Sequence, residues 1–177
     1  MPVLRRGFHT EGIGRGRAAP LVIWRITDGK AGHESQSLGL ARALGRQAWC
    51  DVLDIPAPPA AASLAGLPLG SFTAGAALPD PDLIIGAGHG THLAMLAARR
   101  ARGGKTVVLM KPSLPTAWFD LCLIPEHDDP RAAGNILKTR GPLNTVAPAG
   151  TPDPGRGILL LGGPSRRHGW DEEDLLG

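Results

Sequence analysis

Short apolar runs alternate with segments of helical spacing along most of the chain. The first clear pair is an apolar run at residues 21–26 and an amphipathic segment at residues 36–44. Continuous apolar runs of this length are typical of parallel strands that are buried on both faces. Strands that alternate with helices predict an α/β fold, a Rossmann-like parallel sheet with helices on both faces.

The same alternation continues through the rest of the sequence. Further strands are predicted at residues 48–55, 82–85, 106–110, 121–124, 135–138 and 158–161. Further helices are predicted at residues 60–67 and 91–102, with one helical turn at 115–118. The last strand follows a segment rich in Pro and Gly. We therefore predict a disordered basic arm at 1–19, a Rossmann-like domain at 20–147, a linker at 148–156 and the first elements of a second domain, only begun, at 157–177.

Composition narrows the class of protein. Of the 177 residues, 42% are hydrophobic and 20% are charged, and no apolar run approaches the ~18 residues of a membrane-spanning helix. A net charge of +3 is too small to indicate a nucleic-acid groove. Cys50 and Cys122 lie in apolar surroundings, which predicts buried thiols and neither a disulfide framework nor a metal motif. We expect a cytoplasmic protein with no nucleic-acid partner, no metal and no resident cofactor.

The loop after the first strand is the most informative stretch of the sequence. It reads DGKAGH from Asp28 to His33 and leads into a helix. A strand, a glycine-bearing turn and a helix N-terminus gather backbone N–H groups at one point, where phosphates bind. Lys30 adds a positive charge, and His33 at the start of the helix is a candidate general base.

Two details limit this interpretation. A P-loop is disfavoured because Trp24 stands where its first Gly belongs and Ala31 replaces its Ser or Thr. A purely structural alternative is a turn that Asp28 initiates, with Gly29 and Gly32 at positive φ. We favour the functional interpretation, because loops at the carboxyl ends of strands carry the sites of open α/β sheets.

A second glycine loop, GAGHGTH, occupies residues 86–92. Thr91 stands where a dinucleotide-binding motif has its third Gly, and the next strand ends in Lys111 instead of an acid, so NAD binding is disfavoured. His89 and His92 have no nearby Cys or carboxylate, so a metal site is also disfavoured. The structural alternative is a tight connection from strand to helix.

Polar residues also follow the later strands. Lys111 ends one strand, and Glu126 and His127 end the next, so these side chains form either the wall of a site or solvated turns. The sequence GGPS at residues 162–165 follows the last predicted strand, and its glycines and serine could hold a diphosphate.

Taken together, these motifs resemble the mitochondrial-fission (elongated mitochondria) family. The resemblance rests on WRITDGKAGH at residues 24–33, GAGHGTH at 86–92, KPS at 111–113, PEH at 125–127 and GGPS at 162–165. The pattern is more distantly similar to two-domain GT-B glycosyltransferases, including the N-acetylglucosaminyltransferase that completes the peptidoglycan lipid precursor. Plant members of the family act in mitochondrial division, and the bacterial members are usually described as glycosyltransferases, with no established substrate.

The resemblance implies an inverting, metal-independent transferase that moves a sugar from a nucleotide sugar to a glycolipid or saccharide acceptor of the cell envelope. His33 would be the base, with Asp28 and Glu34 positioning the acceptor. The implied substrate-binding residues are Gly29, Lys30, Gly32, Gly86, Gly88, His89, Gly90, Lys111, Glu126 and His127. Gly162, Gly163 and Ser165 would bind the donor phosphates.

Family members continue through a whole second domain, so the resemblance also implies that efficient transfer requires that missing domain as a partner. The expected location is the cytoplasm, compatible with peripheral association at the inner membrane. Two alternatives stay open. One is a non-catalytic interaction module in membrane or organelle division, and the other is a nucleotide-binding epimerase or oxidoreductase domain, which the missing third Gly disfavours.

Overall fold

A computed structural model describes residues 3–8, 19–146, 151, 153–155 and 157. The chain divides into two units, Met1–Val146 and Ala147–Gly177, and every element below belongs to the first. The predicted strand at 158–161 and the predicted phosphate-binding residues Gly162, Gly163 and Ser165 lie outside the described residues. The linker and the second domain therefore stay predictions.

Strands and helices alternate as the hydrophobic pattern predicted. The strands are β1 (Leu4–Phe8), β2 (Leu21–Thr27), β3 (Cys50–Pro56), β4 (Leu83–Ala87), β5 (Lys105–Leu109), β6 (Leu121–Pro125) and β7 (Ile136–Thr139). The α-helices are α1 (Ala31–Gly45), α2 (Ala60–Leu69) and α3 (His92–Arg102). Short 3₁₀ turns occupy Thr73–Gly75, His89–Thr91, Thr116–Trp118 and Glu126–Asp128. Within the described residues, no helix has the length and apolar character needed to cross a bilayer.

The order of the strands creates a crevice beside β2. Within the described residues the strands form one sheet in the order β1-β3-β2-β4-β5-β6-β7, and β2 to β7 run parallel. From β2 the chain goes first to β3 on one side and then to β4 on the other. The loops after β2 and β4 therefore separate at this point, which is where open α/β sheets bind ligands.

Alternate strand residues face opposite sides of the sheet and build two apolar clusters. On one side Trp24 of β2 packs in a cluster with Met95 of α3 and Leu67 of α2. On the other side Ile23 packs in a cluster with Ala41 of α1. Helices therefore cover both faces, and the predicted Rossmann-like α/β fold is confirmed.

Both cysteines are buried in the sheet, Cys50 in β3 and Cys122 in β6. Burial raises the pKa of the Cys122 thiol to about 11, so this thiol stays protonated at neutral pH. The prediction of buried thiols is confirmed.

The N-terminal arm departs from the expectation of disorder. Residues Leu4–Phe8 form an edge strand antiparallel to β3. Arg5 Nε donates to Asp51 Oδ1 at 2.8 Å, and Arg6 Nε donates to Asp54 Oδ2 at 3.0 Å. Both aspartates of β3 are less than 10% exposed, so they require such partners. The prediction of a disordered arm was wrong for this segment, because it pairs with β3, packs Phe8 against the core and places two arginines beside buried aspartates, and none of these contacts is visible in the local sequence.

A buried ion pair joins β2, β3 and the start of α1. Arg25 is 2% exposed, and its Nε and Nη2 donate to the two carboxylate oxygens of Asp54 at 2.7 and 2.5 Å. Its Nη1 donates to Ser37 Oγ at 3.0 Å and to the main-chain oxygen of Glu34 at 3.2 Å. The guanidinium therefore holds the first turns of α1 against the carboxyl half of β2, where the candidate site lies.

Two glycines of α1 allow close packing. A Cβ on Gly45 would lie 2.5 Å from the Cβ of Phe8, and a Cβ on Gly39 would lie 2.3 Å from the main-chain oxygen of Asn144. A glycine at the end of a helix commonly caps it from outside, but Gly45 is the last helical residue, and Arg46 follows with a right-handed φ of −77°. The physical reason for this glycine is contact with β1.

Candidate functional site

Three loops meet at the carboxyl edge of the sheet, next to the point where the strand order reverses. They follow β2, β4 and β5, and they line a cavity of about 380 Å³. Its lining residues are His33, Gly88, His89, Met110, Lys111, Pro112 and Ser113. Both glycine loops follow the carboxyl ends of parallel strands, and the geometry brings them into contact.

Asp28 and His33 form a hydrogen-bonded pair beside this cavity. Asp28 Oδ2 lies 2.8 Å from His33 Nδ1, and Asp28 Oδ1 accepts a hydrogen bond of 3.2 Å from the backbone N–H of Lys30. The side chains are 9% and 18% exposed. The turn of β2 into α1, with Gly29 at φ 77°, folds the aspartate back onto the histidine five residues later. Both carboxylate oxygens are therefore occupied and the carboxylate orientation is fixed.

The environment of Asp28 assigns the tautomer of His33. Partial burial alone would raise the pKa of the Asp28 carboxyl, but the hydrogen bonds from His33 and Lys30 outweigh it, and the net pKa lies below the ordinary value. An ionised carboxylate only accepts hydrogen bonds, so the hydrogen lies on Nδ1 of His33. Nε2 then carries the lone pair of the neutral ring, and within the described chain it has no hydrogen-bond partner. This arrangement is that of a general base held by a carboxylate.

Two glycines of the second loop pack against the pair. A Cβ on Gly88 would lie 2.2 Å from His33 Cε1, and a Cβ on Gly90 would lie 3.3 Å from Asp28 Oδ2. Gly88 has φ 79° and ψ 157°, a region that is essentially open only to glycine. The loop after β4 therefore fits the imidazole because it carries no side chain there.

The loop after β5 supplies the opposite wall. Met110 has φ 71°, in the left-handed region that side-chain-bearing residues rarely occupy. Its N–H still donates to the main-chain oxygen of Leu123 in β6 at 2.9 Å, so the strained residue is held by the sheet. The next residue, Lys111, donates from Nζ to the main-chain oxygen of Asp128 at 3.0 Å. A positive charge is thus fixed on the wall that faces the loop of His33.

His92 ties the second and third loops together. Its Nδ1 lies 3.2 Å from Ser113 Oγ, and its ring meets that of Phe119 edge-on at 5.5 Å. The residue is 2% exposed, and its Nε2 is buried without a hydrogen-bond partner among the described residues. Burial, with a smaller contribution from His89, lowers the pKa of His92 to about 4, so the ring is neutral at pH 7. His92 therefore positions the wall of the cavity as a neutral group.

The structure gathers only some of the residues that the sequence nominated. Those at the cavity, in the pair or packed against it are Asp28, His33, Gly88, His89, Gly90 and Lys111. Gly29 and Lys30 form the turn that carries the pair. Those placed elsewhere are Gly32, Glu34, Gly86, Glu126 and His127.

The reasons differ among the residues outside the cavity. Gly32 is helical and exposed, not at positive φ. Glu34 contributes its main-chain oxygen to Arg25. Gly86 faces α3, where a Cβ would lie 2.5 Å from Met95 Sδ. We therefore assign it to helix packing.

Glu126 and His127 are exposed in the 3₁₀ turn after β6 and do not line the cavity of His33. Strand β5 separates β6 from β4 in the sheet, which explains the distance from the pair.

Sequence reasoning overlooked two features of the site. It gave Asp28 the task of positioning a substrate, whereas the structure pairs its carboxylate with His33. It also gave no role to Met110, whose left-handed backbone directs the chain into the cavity wall. The five-residue spacing of Asp28 and His33 across a glycine turn was the available signal for the pair. No sequence signal indicated the backbone conformation of Met110.

Comparison with known proteins identifies the family. No match was found among curated proteins or among solved structures. Among the described residues, no group of three or more His, Cys, Asp or Glu side chains is placed to hold a metal ion. The sequence profile described as mitochondrial fission ELM1 matches residues 31–176, which include His33, the second glycine loop and Lys111. This match spans most of the chain, and the protein therefore belongs to the mitochondrial fission ELM1 family.

Proposed function

We propose that the chain is the acceptor-binding part of an inverting, metal-independent GT-B-like glycosyltransferase. It acts at the cytoplasmic face of the inner membrane, where it transfers a sugar from a nucleotide sugar to a glycolipid or saccharide of the cell envelope. The observation that carries the proposal is the Asp28–His33 pair at the reversal point of the sheet, with Nε2 unoccupied. A base held in this way suits the deprotonation of a hydroxyl.

The chemistry follows from the pair. Nε2 of His33 takes the proton of an acceptor hydroxyl, while the oxygen of that hydroxyl attacks the anomeric carbon of the donor sugar. The bond from that carbon to the diphosphate breaks on the opposite face, and the nucleoside diphosphate leaves with the electron pair. Asp28 stabilises the imidazolium that forms, through its hydrogen bond to Nδ1. Attack and departure on opposite faces invert the anomeric centre.

Charge at the cavity supports an anionic substrate. Lys111 lines it, and Lys30 starts the helix that carries the base. The N-terminal turn of α1 adds the partial positive charge of its backbone N–H groups. Gly162, Gly163 and Ser165 keep the proposed role of holding the donor diphosphate within a completed second domain.

The test uses the chain together with a longer family member that contains a complete second domain. Both are incubated with a panel of nucleotide sugars and an envelope lipid extract, and release of nucleoside diphosphate is measured. We expect release from the longer protein, and a loss of 10²–10⁴-fold when the histidine that corresponds to His33 is replaced by Ala. The matched control replaces, in the same longer protein, the histidine that corresponds to His127 by Ala. In this chain His127 is exposed and lies away from the cavity.

Donor binding is measured separately by calorimetry. If neither protein binds or cleaves any donor, the transferase is excluded and the non-catalytic module becomes the better description. Binding of NAD in place of nucleotide sugars would instead support the epimerase or oxidoreductase alternative.

A further inference from the structure

A second cavity lies next to the candidate site. It has a volume of about 470 Å³, and its lining includes Lys111, Ile124, Asp129, Arg131 and Ile136. Lys111 lines both this cavity and that of His33. Cavities of this size are in the range that binds small molecules. The two cavities are therefore neighbours that share one lysine.

The charges in this second cavity favour an anion. Lys111 Nζ donates one hydrogen bond, to the main-chain oxygen of Asp128 at 3.0 Å, which leaves two N–H donors for a ligand. Arg131 is exposed and forms no ion pair with any residue that the structure describes. Asp129 is the one carboxylate in the lining, so two cations face one anion. The lining therefore carries a net charge of +1, and both of its cationic side chains can donate hydrogen bonds to a phosphate.

The rest of the cavity is apolar and held in place. Ile124 is 1% exposed, and Ile136 packs against the same core. Asn135 Nδ2 donates to the main-chain oxygens of Thr116 at 2.7 Å and Phe119 at 3.0 Å, so the start of β7 is fixed to the opposite wall. A ligand that fills this cavity therefore needs an apolar part beside its anionic group.

We propose that this cavity is a subsite for the acceptor and binds a phosphate group attached to a hydrocarbon chain. Lys111 and Arg131 bind the phosphate, and the first carbons of the chain lie on the partly exposed Ile136, with the buried Ile124 also in the lining. The inference rests on the proposed function, because it assigns the reacting hydroxyl to the cavity of His33 and the phosphate to the neighbouring one. It narrows the acceptor class from any saccharide to a lipid-linked phosphate.

Binding is tested directly with geranyl phosphate, followed by the methyl NMR signals of Ile124 and Ile136 in the full chain. We expect both signals to shift on titration. Geraniol and inorganic phosphate, which each carry half of the chemistry, are expected to bind at least 10-fold more weakly. If geraniol bound as tightly as geranyl phosphate, the cavity would be a purely hydrophobic site. If inorganic phosphate bound as tightly, it would be a simple anion site. Either result overturns the proposal, as does the absence of shifts.

The matched variants are Arg131→Gln and Arg46→Gln. Arg131→Gln is expected to weaken geranyl phosphate binding about 10-fold, since one charge-assisted contact is lost. Arg46 lies exposed at the C-terminal end of α1, away from the cavity, so its variant should bind as the parent does. Both arginines are exposed and both variants should fold, which their thermal midpoints check. Unchanged affinity in Arg131→Gln contradicts the proposal.

This test and that of the proposed function fail separately. Geranyl phosphate binding with no transfer from any donor would exclude the transferase function and support a site for a lipid-linked phosphate. Transfer with no geranyl phosphate binding leaves the transferase and removes the subsite.

Discussion

Gly88 lies directly against the imidazole of His33, so closely that a Cβ on this residue would be 2.2 Å from the Cε1 of the ring. The two residues come from different loops, after β4 and after β2, and their contact joins the two sides of the crevice. Asp28 holds the ring from the other direction through Nδ1. The candidate base is therefore fixed by a carboxylate on one side and by the absence of a side chain on the other.

Gly88→Ala is expected to displace His33 from Asp28. The new methyl group collides with the ring, and the backbone at φ 79° and ψ 157° disfavours any side chain. The backbone strain alone costs roughly 1–3 kcal/mol of unfolding free energy, and the collision with the ring adds to it. Long-range ¹H–¹⁵N NMR of the histidine ring should show that the hydrogen no longer resides mainly on Nδ1. An unchanged tautomer would contradict the contact.

Gly32→Ala is the matched control. This glycine is exposed in the first turn of α1, and no heavy atom lies within 4 Å of the added Cβ. Alanine is a better helix former than glycine, so stability should stay the same or rise by up to about 1 kcal/mol. Urea denaturation of the two variants measures both effects. The resemblance placed Gly32 in the substrate site, so a fall in ligand affinity here would restore that role.

Asp54→Asn is expected to destabilise the fold strongly. It leaves Arg25 buried without an ionic partner, which typically costs about 3–5 kcal/mol. Asp51→Asn is the control, because this aspartate also lies buried in β3 but its partner, Arg5, has a side chain that is 71% exposed. The loss of unfolding free energy in Asp51→Asn should be small. Urea denaturation measures the loss of unfolding free energy in both variants. Equal losses would show that burial of the partner arginine does not determine the energy of the ion pair.

The stability of the protein should fall between pH 6.5 and pH 4 because of His92. The pKa is 6.5 for an ordinary histidine and about 4 for this buried ring, so the unfolded chain binds a proton that the folded state does not. The unfolding free energy then decreases as the pH falls through this window, by roughly 2–3 kcal/mol in total. His92→Phe should remove this part of the pH dependence. An identical pH profile in the variant would refute the assignment.

Asp120 should contribute stability that is lost at lower pH. Partial burial opposes ionisation, but the backbone N–H and hydroxyl of Thr106 and the ammonium of Lys105 lower its pKa from 3.8 to about 2. The contribution is complete above pH 3.8 and disappears as the pH falls towards 2. Because the carboxylate is partly exposed, we expect roughly 1–2 kcal/mol. The difference in acid unfolding between the parent and Asp120→Asn measures it.

The sequence by itself determined the sheet and the loops. Buried parallel strands need continuous apolar runs, and such runs are visible without any knowledge of their neighbours. The predicted strands at 21–26, 82–85 and 121–124 therefore became β2, β4 and β6 with shifts of a residue or two. The motifs at residues 28–33 and 86–92 also led to the family, whose profile matches most of the chain.

Only the tertiary structure decided which residues meet. The edge strand β1 pairs with β3 and its two arginines contact buried aspartates 46–48 residues away, and no local pattern encodes such contacts. Gly45 resembles a helix stop in sequence, yet its lack of a side chain serves contact with Phe8. Gly88 belongs to a loop motif, but the ring that requires it comes from another loop. Hydrophobic periodicity is a property of neighbours along the chain, whereas the contacts of Asp28, His33 and Gly88 depend on the order in which the strands assemble.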